Sequence, residues 1–257
     1  MSFPLFEEYQ RNSRTYETQH YRFVFTGGSL AEKNIKSIAE GQEYCYSNFL
    51  KSFNLRSSLR INYYLFSSAL ECGKQYRLLH PEQYSENDED EEVNGYTLYP
   101  DNVFATYNKK VKCIGYHEDV HLLMAEQYGN LESCFVKEGI AMAYDKVWWG
   151  IANEYWAKKV IESKVIKEME KLYENEEFFK FDCRYSYPVA GAFTSWFLAK
   201  YGMENYKIYY KRFVSKDRFP DMKYRKQLVE EFLLEIVKTE IPLRIEKEME
   251  NKTLGKK

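Results

Sequence analysis

The stretch that decides the fold is GYHEDVHLLMAEQYGNLESCFVKEGIAMAYD, residues 115–145. Near its start is HEDVH, and residues four apart on an α-helix stand one above the other on one face. His117 and His121 can therefore direct both imidazoles at one ion. Glu118 lies about 100° round the same helix. That offset keeps its carboxylate off the ion but near a water beside it, where a general base is needed. A catalytic zinc requires a third protein ligand and an open fourth position. Gly129 and Asn130 mark a short connection, and Ser133 is placed to cap a second helix through CFVKEGIAMAYDKV that returns antiparallel. Glu138, on its first turn or two, then completes a His2Glu set. Asp145, seven residues further along the same face, can accept a ligand N–H. With 4 His in the chain, accident spells HExxH in roughly half a percent of sequences of this composition. The glycine-marked helix end and the acid in KEGIA make accident the weaker reading.

Working outward, 44% hydrophobic residues, with 24 Tyr and 17 Phe among 257 residues, supply enough apolar surface for a substantial core and exclude a disordered chain. The formal charge is −2, from 37 basic and 39 acidic residues. It provides no global field for nucleic acid or an anionic membrane, so neither is expected as a partner. Cys45, Cys72, Cys113, Cys134 and Cys183 are odd in number, widely spaced and without a CxxC pair. They read as reduced, buried thiols rather than a disulfide framework. MSFPLFEEYQRNSRTYETQ is not a signal peptide as it stands, and no apolar run approaches the ~18 residues of a membrane span. A soluble, cytoplasmic protein is expected, unless a leader has been removed.

The first part alternates strand and helix signals. HYRFVFT (20–26) and RINYYLF (60–66) read as strands. Between them GGS turns the chain, and Ser29 caps a helix through LAEKNIKSIAEGQEYCYSNFLKSF. A helix is expected near 67–76, an acidic loop at 85–95 and a strand at NVFATY (102–107). From 111 onward the signals are helical. The expected class is therefore α+β, with a small α/β lobe at 1–110 and a helical lobe at 111–257. Asp90, Glu92, Asn94, Gly95 and Asp101 sit at calcium-loop offsets, but the third and twelfth positions depart from the pattern and a solvated loop is the better reading. YWAKKVIESKVIKEMEKLY reads as one amphipathic packing helix. RKQLVEEFLLEIVKTEIPLRIEKEME reads as another, kinked or ended by Pro242. The four Trp read as core or cleft wall, and TGGS as a turn rather than a phosphate loop.

HEDVH, the EGxA segment EGIAMAYD and YSYPVAGAFTSWFLAKYG (185–202) together resemble the gluzincin metallopeptidases, most closely the bacterial peptidase MA-like domains. The last segment is similar to that family's Tyr-x-x-Ala-Gly-small-Phe helix. The resemblance is specific over about 100–202. It implies a zincin-like fold: a mixed sheet whose edge strand, here NVFATY, lies along a cleft and pairs with an extended peptide, with the zinc site between that lobe and a mainly helical one. It also implies a zinc-dependent peptidase acting on a peptide or protein substrate, with Glu118 as base and a tyrosine before the Ala-Gly helix as oxyanion donor. Tyr187, placed at the helix mouth by Pro188, is the first choice and Tyr185 the second. The chain departs from the family at Lys137, where a small polar residue is common, and at Tyr144, displaced by one position. A zincin-fold protein that binds a partner without turnover, and a hydrolase of a non-peptide bond, are the competing readings. An intact Glu118 favours the enzyme.

Overall fold

A short helix, α1 (Glu7–Asn12), leads into two antiparallel strands, β1 (Ser13–Glu17) and β2 (Tyr21–Thr26). Ser29 then caps α2 (Leu30–Phe53), its Oγ accepting from the Glu32 N–H at 3.2 Å. Beyond α2 come β3 (Ile61–Phe66), α3 (Ala69–Leu79), β4 (Gly95–Leu98), β5 (Asn102–Thr106) and α4 (His117–Tyr128). This computed structural model describes residues 4–85 and 88–254. Contacts divide the chain into two compact units, Met1–Gln127 and Tyr128–Lys257. The class is α+β with a small mixed sheet.

The sheet of the first unit has the order β1-β2-β3-β5-β4, with β2, β3 and β5 parallel and the outer strands antiparallel to their neighbours. Parallel central strands are covered on both faces, and β3 and β5 are almost continuously buried. On one face Val24, Tyr64, Phe66 and Phe104 pack with Tyr9 of α1 and Cys72 of α3. On the other, Tyr21 stacks on Phe23, Tyr63 packs tilted against Phe23, and Tyr46 of α2 meets Tyr21 edge-on. Aromatics so dominate this core that Tyr9, Tyr21, Tyr46 and Tyr63 rank among its fully buried side chains.

Two expectations change here. NVFATY does form a strand, but β5 pairs on both sides, with β3 and with β4. It is interior, and the edge is β4. The sequence hid β4 because GYTL is short and starts with glycine, so the alternation of Tyr96 and Leu98 is too brief to stand out; its pairing to β5 makes it a strand. The second change is the boundary. The motif helix α4 falls, up to Gln127, within the sheet-bearing unit rather than in a helical lobe starting at 111. Its buried Asp119 accounts for this, because it bonds to β2 and α2.

The second unit contains α5 (Cys134–Asp145), a two-residue hairpin of β6 (Val147–Trp148) and β7 (Ile151–Ala152), then α6 (Asn153–Glu162), α7 (Asn175–Phe178), α8 (Cys183–Tyr201), α9 (Met203–Lys211), α10 (Met222–Ile236) and α11 (Leu243–Leu254). The helix expected over 155–173 is broken. α6 stops at Glu162, Lys164 takes a left-handed φ of 56°, and only a single 3-10 turn follows at Met169–Lys171. The next long segment ends at Ile236, ahead of Pro242, and α11 begins directly after that proline. Trp156 is buried beside Ile151 and Met249, with Trp148 and Trp149 packed against that cluster. Among the described residues no helix is long and apolar enough to cross a membrane.

In the acidic run, 86 and 87 lie outside the described residues. Gly95–Leu98, which the calcium pattern would curl around an ion, is instead the extended strand β4, and Asp90 pairs with Arg77 at 3.3 Å. The solvated-loop reading stands for the rest of the run that is described.

Candidate metal centre

The approach to α4 is held by side chains from β2 and α2. Gln42 makes a two-way clamp on the turn before the helix. Its Oε1 accepts from the Gly115 N–H at 2.6 Å, and its Nε2 donates to the Gly115 carbonyl at 3.1 Å and to Asp119 Oδ2 at 3.0 Å. The Tyr21 hydroxyl donates to the same carboxyl oxygen. Burial pushes the Asp119 carboxyl well above the usual range, opposed by the Tyr21 hydrogen bond. Asp119 in HEDVH is thus an anchor, a role the sequence reading missed. The available signal was Gln42 itself, a polar residue on the otherwise apolar α2 face of Ile38, Ala39, Tyr46, Phe49 and Phe53. Behind the motif Val120, Leu122, Leu123 and Met124 are fully buried, so α4 runs through the core rather than over it.

Glu118 faces the start of the edge strand. A Cβ added to Gly95 would lie 3.1 Å from Glu118 Oε1 and 3.5 Å from Cys113 Cβ. A methyl there would push the carboxylate back by a few tenths of an ångström. The Cys113 carbonyl accepts from the Tyr63 hydroxyl at 3.0 Å, which ties this segment to β3.

Glu138 is positioned by a close helix crossing. α5 packs against α8 through a pair of glycines. A Cβ at Gly139 would meet Thr194 Oγ1 at 2.5 Å and the Ala190 carbonyl oxygen at 3.0 Å; one at Gly191 would meet Met142 Cβ at 2.6 Å and Asn153 Nδ2 at 2.8 Å. The glycines of EGIA and VAGA therefore set the helix spacing that fixes the neighbouring glutamate. At the start of α5, Ser133 occupies the cap position but makes no side-chain cap bond. The Cys134 N–H is instead accepted by Asn175 Oδ1 of α7 at 2.7 Å, so the cap comes from a residue distant in sequence.

His117, His121 and Glu138 each offer a ligand atom, and all of these atoms lie within 4.8 Å of one another. They form the one such group among the described residues. The two imidazole planes are nearly perpendicular, at 89°, with centroids 4.9 Å apart. His121 is 6% and Glu138 7% exposed, and Lys137 Nζ lies 3.9 Å from the Glu138 carboxylate. Two imidazoles and a buried carboxylate suit a divalent transition ion, so the group can hold a metal ion. A tetrahedral shell with bonds of about 2.0–2.2 Å places its donors about 3.3–3.6 Å apart, and side-chain rotation covers that difference.

The remaining residues singled out in the sequence have these surroundings. α8 starts at Cys183, capped by Asp182, and Pro188 lies inside it rather than at its start. Tyr187 is therefore on the helix, its ring 5.9 Å from Trp148 and 5.8 Å from Phe178. Tyr185 has the Arg184 guanidinium 6.0 Å from its ring centre. Asp145 ends α5, about 10 Å along the helix axis from Glu138. None of the five cysteines is in a disulfide, but the expectation of buried thiols holds only for Cys72 and Cys134, since Cys45 and Cys113 are half-buried and Cys183 is exposed. Burial raises the Cys134 thiol to about 11 and pushes Cys72 up further still, as expected of inert buried thiols. No protein-family model and no curated protein matches this sequence.

Proposed function

We propose that this chain is a zinc-dependent peptidase of the gluzincin type, with a zincin-like fold. One observation carries the reading: the ligand atoms of His117, His121 and Glu138 converge to within 4.8 Å, in the order HExxH…E. A zinc ion held there supplies Lewis acidity to a scissile carbonyl and acidity to a neighbouring water. Glu118, next in sequence to the first ligand and not itself a member of the ligand group, takes the proton from that water and passes it to the leaving amine. Tyr187 donates to the developing oxyanion, with Tyr185 as its alternative. β4 is the terminal strand of the sheet, so one row of its backbone groups faces away from β5. An extended peptide adding to that edge would run past Gly95 and hence past the Glu118 carboxylate.

The first test is zinc content by elemental mass spectrometry on wild type, His117→Ala and Glu118→Gln, with peptide-library cleavage in parallel. The expected result is one zinc per chain in wild type and Glu118→Gln, none in His117→Ala, and cleavage by wild type alone. Equal metal in wild type and His117→Ala removes the metal site. Bound zinc without cleavage in wild type points to a partner-binding protein.

A further inference from the structure

Away from the metal ligands, α8, α9 and α10 enclose an open cavity of about 340 Å³, within the size class of small-molecule sites, about 300–1,000 Å³. Part of its wall is aromatic. Phe197 and Tyr209 stack at 4.6 Å as its buried floor, the Tyr209 hydroxyl donating to Tyr173 at 2.8 Å, and the exposed Ile208 forms an apolar rim. Tyr224 lies across from them with the Arg212 guanidinium 5.5 Å from its ring centre.

The charges around this cavity are unequally satisfied. The nearby Glu231 carboxylate is taken up by Lys200 at 2.7 Å, Tyr201 at 2.5 Å and Gln227 at 3.1 Å. Arg212 forms no ion pair among the described residues and lies over the Tyr224 ring. The cavity thus presents one uncompensated planar cation beside an apolar floor and rim. Two amides complete the lining. Asn205 Nδ2 donates to the Tyr201 carbonyl at 2.7 Å and Gln227 Nε2 to Glu231, which leaves both amide oxygens as acceptors.

We infer that this cavity binds the C-terminal end of a peptide whose last residue is aromatic. Its carboxylate pairs with the Arg212 fork, its ring packs against Ile208 over the Phe197 and Tyr209 floor, and its amide N–H donates to the Asn205 or Gln227 oxygen. Each part answers to a different group. A planar guanidinium selects a carboxylate by paired N–H···O bonds, the apolar floor and rim select a flat apolar body, and free acceptors select an N–H donor. The inference stands apart from the peptidase reading, since it uses no residue of the metal group.

The test is calorimetric titration of the full chain with N-acetylphenylalanine, N-acetylphenylalaninamide and 3-phenylpropionate. The acid is expected to bind one per chain, the amide at least tenfold more weakly, and phenylpropionate more weakly than the N-acetyl acid for want of the N–H. Arg212→Ala should lose at least tenfold, and Leu228→Trp, which fills the cavity, should abolish binding; unchanged thermal unfolding in Arg212→Ala shows that it is folded. Equal binding of acid and amide, wild-type binding by Arg212→Ala, or no saturation by about 10 mM acid, a level that excludes even millimolar affinity, overturns the assignment. Phenylpropionate binding as well as the N-acetyl acid overturns the peptide terminus in favour of a free aromatic acid. Repeating the titration on Glu118→Gln and His117→Ala, which should bind like wild type, separates failure here from failure of the peptidase reading.

Discussion

Gly139→Ala tests the helix crossing that positions Glu138. In an open helix interior this change stabilises by about 1 kcal/mol, because alanine loses less backbone freedom than glycine. Here the added methyl meets Thr194 Oγ1 at 2.5 Å and the Ala190 carbonyl oxygen at 3.0 Å. Thr194 can rotate away, whereas the Ala190 oxygen belongs to the α8 backbone and cannot. The same crossing is pinned from the other side, where Gly191 leaves no slack against Met142 Cβ. Overpacking of this kind costs about 1–3 kcal/mol, which outweighs the propensity gain when backbone must move. A net loss of up to about 2 kcal/mol follows, a fall in Tm of up to roughly 8 °C for a unit of this size. Shifting α5 also carries the Glu138 backbone with it, so zinc affinity should fall together with Tm. Gly41→Ala in α2 is the internal control, since nothing lies within 4 Å of its added Cβ; there Tm should rise slightly. The assay is thermal unfolding by circular dichroism with zinc titration of the apo protein. A Gly139→Ala variant as stable as wild type or more so would refute the crossing argument.

Three further outcomes are expected. Gly95→Ala should displace the Glu118 carboxylate and lower kcat at unchanged zinc content, measured by peptide cleavage and elemental analysis; unchanged turnover would detach β4 from the base. Asn175→Ala should cost about 1 kcal/mol by uncapping α5, while Asn175→Asp retains most of it, and denaturant unfolding reads both. Glu231 is held down to about 2 by Lys200, Tyr201 and Gln227, against an ordinary value of 4.5. Its depressed pKa adds stability that is complete above pH 4.5 and lost as pH falls towards 2. Glu231→Gln should therefore flatten the acid limb of Tm against pH, and an unaltered limb would remove this pair from the balance.

Those parts of the fold were legible where local signals and tertiary demands coincide. LAEKNIKSIAEGQEYCYSNFLKSF has a serine cap and an apolar face, and it is α2 from Leu30 to Phe53. β2 and β3 carry dense aromatic and β-branched runs. β4 was not legible, because its Tyr96 and Leu98 alternation spans only four residues and its pairing with β5 completes it. The break after α6 was equally hidden: the apolar spacing continues through Val165 and Met169, yet Lys164 turns left-handed and Val165 is left 42% exposed. Pro188 suggested a helix start, but Asp182 accepts the Arg184 N–H at 2.8 Å and starts α8 earlier. At the metal group, spacing alone pointed to His117, His121 and Glu138. The Gln42, Tyr21 and Asn175 contacts that hold the helices were invisible, since each joins residues far apart in sequence.

The tyrosine-rich core has a consequence in alkali. Burial pushes Tyr9, Tyr21, Tyr173, Tyr206 and Tyr209 well above their ordinary value near 10. In the unfolded chain these phenols ionise near that ordinary value, so the unfolded state sheds protons that the folded state keeps. Each group then withdraws about 1.4 kcal/mol of stability for every pH unit above about 10. Phenolate absorbance will consequently rise in two waves, a rapid one from surface rings and a delayed one that appears only as the chain opens. The protein carries its own dye for global unfolding, distributed through both compact units.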